Sequence, residues 1–147
     1  MTEVSVEKLV ARPRRAVAAY ASDPANDADW IGALTEVRVL TDPPFGVGSR
    51  VLRVASFLGR RIEYVNEVTE LDPGRRLAMR SVEAPFPMTV VYEWEDAGDG
   101  ATRMRIRAGG DASGFYRVAG PLLSRAVRRG IEGDLERLRR ALESVSA

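Results

Sequence analysis

The strongest constraint in this chain is a change of period. Between Glu36 and Ala108, apolar and polar residues alternate in short runs broken by turn signals. From about Gly114 onward, apolar residues recur every third or fourth position. The first pattern is that of half-buried antiparallel strands and the second that of one amphipathic helix. A chain that makes this switch once, near its end, is expected to lay one long helix across an antiparallel sheet, each covering the other's apolar face.

The strands are readable one by one. Val4–Val10 alternates and stops at Arg12-Pro13. Val37, Val39 and Leu40 form a run ending at Asp42-Pro43-Pro44. Arg50–Leu58 and Arg61–Leu71 are separated by a tight Gly59-Arg60 link, a hairpin signal. Asp72-Pro73-Gly74 is a turn in which Pro presets φ and Gly accepts positive φ. Leu77–Glu83, Met88–Glu95 and Thr102–Ala108 follow, the last two joined through Asp99-Gly100. Gly109-Gly110 closes the last of them.

Between the first strand and the meander, Arg14–Ala21 predicts a short helix with Pro13 in its first turn. Asp23 reads as the N-cap, with Pro24 behind it, of a second short helix through about Leu34 that carries Trp30. The C-terminal helix spans about Gly114 to Val145. Leu123, Val127 and Ile131 form a stripe continued by Leu135, Leu138 and Leu142, and Pro121 marks a kink or the true start.

Composition narrows function by exclusion. The 147 residues hold no Cys and no His, so no disulfide, thiolate nucleophile or imidazole base is available, and no metal or cofactor site is expected. The 22 basic and 21 acidic residues leave a net charge of +1, which supplies no field for nucleic acid. The opening MTEVSVEKLV lacks the layout of a signal peptide, and no apolar run approaches the ~18 residues of a membrane span. A cytoplasmic chain forming a single domain over residues 1–147 is the expectation.

The alternation also sorts the faces of the sheet. One face carries Arg103, Arg105 and Arg107 beside Glu93 and Glu95, a charge ladder that belongs in water. The other carries Ile62, Tyr64, Asn66 and Val68, then Leu77, Met79 and Ser81, then Met88, Val90, Tyr92 and Trp94, and finally Met104 and Ile106. Methionines and rings beneath a helix fit either a filled core or a lined cavity. An empty cavity of ~400 Å³ would cost roughly 10 kcal/mol, so a cavity there must be small, wet or occupied. The Ser49–Leu58 strand has apolar residues on both faces, which leaves the facing of Arg53 open. Asp27 and Asp29 could reach a cavity mouth, although Asp in such a turn is usually a cap.

The segments SDPANDADWIGAL, FGVGSRV, EVTELDPGRRLAMRS, GDGATRMRIR and FYRVAGPLLSRAVRRGIEGDLERL, in this order, resemble the SRPBCC superfamily over nearly the whole chain. The match points to the polyketide cyclase/dehydrase-like branch of the START/Bet v 1-like helix-grip fold. The resemblance implies an α+β helix-grip fold: a curved seven-stranded antiparallel sheet wrapped on a long C-terminal helix, with two short helices after strand 1. It implies a hydrophobic cavity in between, with Trp30 as floor or gate at the end closed by the short helices. The residues then expected around a ligand are Tyr20, Trp30, Ile62, Tyr64 and Asn66 at one side. Met79, Ser81, Met88, Tyr92, Trp94 and Met104 come from the later strands, and Phe115, Leu123 and Val127 from the helical end.

Three functions are compatible with that cavity. The first is binding of a small hydrophobic molecule of aromatic, polyketide-like or lipid-like character. The second is a cyclase or dehydrase in which Tyr64, Tyr92, Asn66 and Arg53 orient an enolate. The third is a stress-related or interaction protein whose pocket is vestigial. A homodimer is compatible with each of these readings.

Overall fold

A computed structural model describes residues 2–144. Seven strands, β1 (Thr2–Val10), β2 (Leu34–Val39), β3 (Arg50–Phe57), β4 (Arg60–Asp72), β5 (Arg76–Glu83), β6 (Met88–Asp96) and β7 (Thr102–Gly110), form one antiparallel sheet. Its order is β1-β7-β6-β5-β4-β3-β2, so only the β1–β7 pairing joins distant parts of the sequence. Helices α1 (Arg14–Ser22) and α2 (Asp27–Trp30), linked by a 3₁₀ turn (Pro24–Asn26), follow β1. Helices α3 (Ser113–Tyr116) and α4 (Gly120–Glu143) follow β7, and α4 lies along the concave side of the curled sheet. This is the helix-grip fold.

Several boundaries differ from the sequence expectation. The second short helix ends at Trp30 rather than near Leu34. Ile31 turns extended (φ −90°, ψ 99°), and Leu34 is already paired with Ala55 of β3. Strand pairing outweighs the weak local preference of so short a helix. At the other end, β7 runs on through Gly109 and Gly110 because it has a partner on each side, Thr2 and Glu3 of β1 and Met88 and Thr89 of β6. A Cβ on Gly110 would stand 2.5 Å from the Pro87 carbonyl oxygen, so only glycine permits that pairing. The C-terminal helix is split: Arg117 adopts φ 58° and ends α3, and Pro121 sits in the first turn of α4. Val145, the expected helix end, lies outside the described residues.

The interior has a filled end and a hollow end. At the filled end, Leu135, Leu138 and Leu142 of α4 pack with Val10, Val17, Val68, Leu77, Trp94 and Met104, all buried. Toward the hollow end the stripe of α4 continues as Val127 and Ile131, which are only half-buried because they look into open space. There the sheet offers Ala55, Ala108, Gly109 and Gly110 where the filled end offers Trp94 and Met104. Small side chains under a helix of fixed height leave a void.

The convex face carries the ion pairs expected of it. Glu7 takes Arg103 and Arg105, and Glu93 takes Arg76 and Arg107. Exposed pairs of this kind fix register more than they stabilise.

Candidate functional site

The hollow end is a cavity of about 370 Å³ between β3–β7 and α4. Strand alternation determines who faces it. Arg53 pairs with Tyr64, Val51 with Asn66 and Ala55 with Ile62 across β3 and β4, so all six residues point to the concave side. The facing of Arg53, open from sequence, is thereby settled as inward. Leu52, opposite Val65, points the other way.

Arg53 meets Asp27. Its Nε and Nη2 donate to Asp27 Oδ2 at 2.9 and 2.7 Å, and the two residues are 5% and 1% exposed. Asp27 is therefore no cap. The capping role belongs to Asp23, whose carboxylate accepts from the Ala25 N–H at 2.9 Å. Burial pushes the Asp27 carboxyl above its ordinary range, with Arg53 pulling against that shift. Beside this pair stand Tyr64 and Tyr92, whose phenols burial holds above their usual value and hence protonated. Tyr64 is enclosed by protein yet retains accessible surface, because that surface is cavity wall.

Trp30 forms the floor. It is 1% exposed, meets Tyr92 edge-on with ring centroids 5.7 Å apart, and its carbonyl accepts from Arg137 Nε at 3.0 Å. The turn-rich segment before it thus delivers a large ring beneath the sheet and ties it to α4. Asp134 completes the tie by accepting from the Gly32 N–H at 3.0 Å and from Arg137. Two polar atoms close to the cavity are left without partners, Trp30 Nε1 and Asn66 Oδ1, and both are buried. At the opposite side an aromatic cluster borders the space: Phe86 lies 5.2 Å from Phe115 and 5.8 Å from Tyr116, and Tyr116 lies 5.6 Å from Phe57.

Of the residues expected around a ligand, Trp30, Ile62, Tyr64, Asn66, Met79, Met88, Tyr92, Leu123 and Val127 line the cavity. The other five are placed elsewhere. Trp94 and Met104, 3% and 0% exposed, belong to the filled end, where they face the same side of the sheet but meet leucines of α4. Tyr20 packs half-buried against that same cluster. Ser81 accepts from the Met88 N–H at 3.0 Å and borders a separate, smaller hollow beside β5 and β6. Phe115 is one ring removed from the wall, with the Arg60 guanidinium 3.8 Å above it. Alternation tells which face a residue takes but not how far along the helix it lies.

Sequence reasoning missed Phe57, Phe86, Tyr116, Ile131, Asp134 and Arg137 as lining residues. Ile131 belonged to the helical stripe and could have been included. The run Ala108-Gly109-Gly110 was the available signal for where the space would open. Among the described residues no group of acidic side chains could hold a metal ion, and no helix is long and apolar enough to cross a membrane.

Comparison with known proteins agrees with this architecture. Residues 1–143 match the family model described as polyketide cyclase/dehydrase and lipid transport. A protein from Thermus thermophilus superposes with a TM-score of 0.82 at 20% identity, covering 99% of this chain and 100% of that one. A START superfamily protein from Mycobacterium smegmatis gives 0.83 at 14% identity, over 98% and 99%. The Zhui aromatase/cyclase from Streptomyces sp. R1128 gives 0.79 at 20% identity, over 97% and 93%. No curated protein matches the sequence. On the strength of the family match over nearly its full length, and of a fold that agrees with it, the chain belongs to the polyketide cyclase/dehydrase and lipid-transport family of the SRPBCC superfamily.

Proposed function

We propose that the protein binds a small, mainly hydrophobic molecule in this cavity. The apolar body lies against Ile62, Met79, Met88, Leu123 and Val127, and the polar end lies toward Tyr64, Asn66 and Tyr92. The observation that carries this reading is a hollow of about 370 Å³ whose wall is mostly apolar yet includes a buried, unpartnered amide oxygen on Asn66. At about 24 cal/mol per Å³ for an enclosed void, such a volume left empty has an upper bound of about 9 kcal/mol, reduced where the hollow opens to solvent. That is comparable to the whole ~5–15 kcal/mol stability of a domain. Water fills such a space poorly because each molecule needs two to four polar partners. An apolar guest with one polar end suits the wall better, and the volume lies at the lower end of the ~300–1,000 Å³ typical of small-molecule sites.

The test is titration with Nile red, an uncharged hydrophobic dye. A saturable fluorescence increase at one site per chain is expected, and Val127→Trp should weaken it at least tenfold with the circular dichroism spectrum unchanged. Absence of any saturable site overturns the proposal.

A second reading, cyclisation of a poly-β-ketone, is favoured by the convergence of Arg53, Tyr64 and Tyr92 on one end of the cavity. The two protonated phenols could donate to an enolate as charge develops on it, while Arg53 stays on Asp27. If so, cyclised product should appear from a poly-β-ketone surrogate, and Tyr64→Phe should slow its formation at least tenfold. Unchanged rates would exclude the scheme.

A further inference from the structure

We infer that the cavity selects uncharged guests and rejects the carboxylate of the same skeleton. This rests on the binding reading above and adds to it the charge of the molecule bound.

The charged side chains on the cavity wall are Arg53, Asp134 and Arg137. Both cations already hold a carboxylate of the chain. Arg53 spends Nε and Nη2 on Asp27 Oδ2, at 2.9 and 2.7 Å. Its Nη1 faces only the thioether sulfur of Met79, at 3.8 Å, a weak acceptor. Arg137 is held by Asp134 and by the Trp30 carbonyl. Each arginine is thus matched by a carboxylate, Arg137 by Asp134 on the wall and Arg53 by Asp27 behind it, so that the four groups together sum to zero charge.

A guest carboxylate would therefore shed its hydration shell and meet no free cation. Nor could it recruit Arg53 by pulling it away. Asp27 is 1% exposed, and among the described residues the charged groups acting on it are Arg53 and Asp23. Moving Arg53 to the guest would only transfer the unpaired buried charge from ligand to protein. The polar groups left for a guest are neutral ones: the protonated phenols of Tyr64 and Tyr92 and the amide of Asn66. They suit a ketone, an ester or a hydroxyl.

Calorimetric titration of the full chain at pH 7 with methyl 2-naphthyl ketone, methyl 2-naphthoate and 2-naphthoate tests this on one skeleton. The ketone and the ester should bind at least tenfold more tightly than the carboxylate. Asp27→Asn, which frees the charge of Arg53, should raise the affinity for 2-naphthoate at least tenfold and leave the ketone within threefold. Should that variant fail to fold, the ester-to-carboxylate ratio in the natural chain still decides. A carboxylate bound as tightly as its ester overturns the inference while leaving the binding reading intact, as does a folded Asp27→Asn chain with no gain for the carboxylate. If neither uncharged probe binds, both readings fall together.

Discussion

Arg53 and Asp27 sit beside an apolar void where either ion alone would be badly placed. Removing a charge from water costs several kcal/mol, and the two hydrogen bonds to Asp27 Oδ2 offset that only while both partners remain. Arg53→Met strands the carboxylate and should lower the unfolding free energy by about 3–5 kcal/mol in urea titration. The double change Arg53→Met with Asp27→Leu should recover most of that loss, since apolar replacements of similar volume leave no ion behind. A double variant as unstable as the single one would mean that the pair acts through more than its charges. Leu58 is a second residue under constraint. It adopts φ 50° and Gly59 φ 77°, the pair of left-handed residues that a two-residue hairpin between Phe57 and Arg60 requires. Leucine resists that conformation by about 1–2 kcal/mol, whereas asparagine tolerates it. Because Leu58 is 46% exposed, little packing is lost on replacement. Leu58→Asn should therefore raise the urea midpoint, and an unchanged or lower midpoint would count against this account of the turn.

At the scale of elements, the tie between β1 and α4 closes the sheet around the helix. Glu136 gathers Lys8 of β1 at 2.8 Å and Arg139 and Arg140 of its own helix. Hydrogen bonds from Arg139 and Lys8 hold its carboxyl well below the ordinary range. A carboxyl lowered in the folded state contributes stability above its unfolded value of about 4.5, and loses it as pH falls through the folded one. The stability difference between the natural chain and Glu136→Gln should thus be present at pH 6 and shrink progressively below about pH 4. Because none of these partners is buried, 1 M salt should also diminish it. Urea titrations of both chains at pH 6 and pH 3 decide the matter, and a difference that grows on acidification would contradict the sign. The same stretch of α4 also holds the α2–β2 junction. Asp134 and Arg137 of α4 hold Gly32 and Trp30, so the junction between α2 and β2 is set by contacts from more than a hundred residues away.

For the molecule as a whole, the division into a filled and a hollow end sets stability against binding. Ala55, 5% exposed, stands on the cavity wall among Leu34 and Ile62. Ala55→Leu adds apolar volume to space that the chain leaves unfilled, and should raise stability by about 0.5–2 kcal/mol. The same change should weaken Nile red binding severalfold. Thermal unfolding and dye titration on one preparation test both halves. If stability falls without loss of binding, Ala55 is not a wall of the guest's space. The proposed trade is the usual one for a site that keeps a void for function.

How much of this was legible in advance follows from the range of the forces involved. Alternation, turn residues and the i, i+4 stripe are local signals, and they sufficed for seven strands, the long helix and the charged convex face, whereas Trp30 beneath the sheet came from the family resemblance. The change to helical period told where the sheet must end, because a strand and a helix bury their faces with different periods. What lay beyond the sequence was every feature that depends on two distant segments meeting. Arg53 and Asp27 are far apart in the chain and each has a bland local reading, as a strand residue of undecided facing and as a turn cap. Only the curl of the sheet brings them within 2.7 Å. Likewise, Met104 and Met79 read alike in the sequence, but the path of α4 determines which meets leucine and which meets space. Periodicity states the direction of a side chain. The volume in front of it is decided by close packing between elements, which three-dimensional arrangement alone supplies.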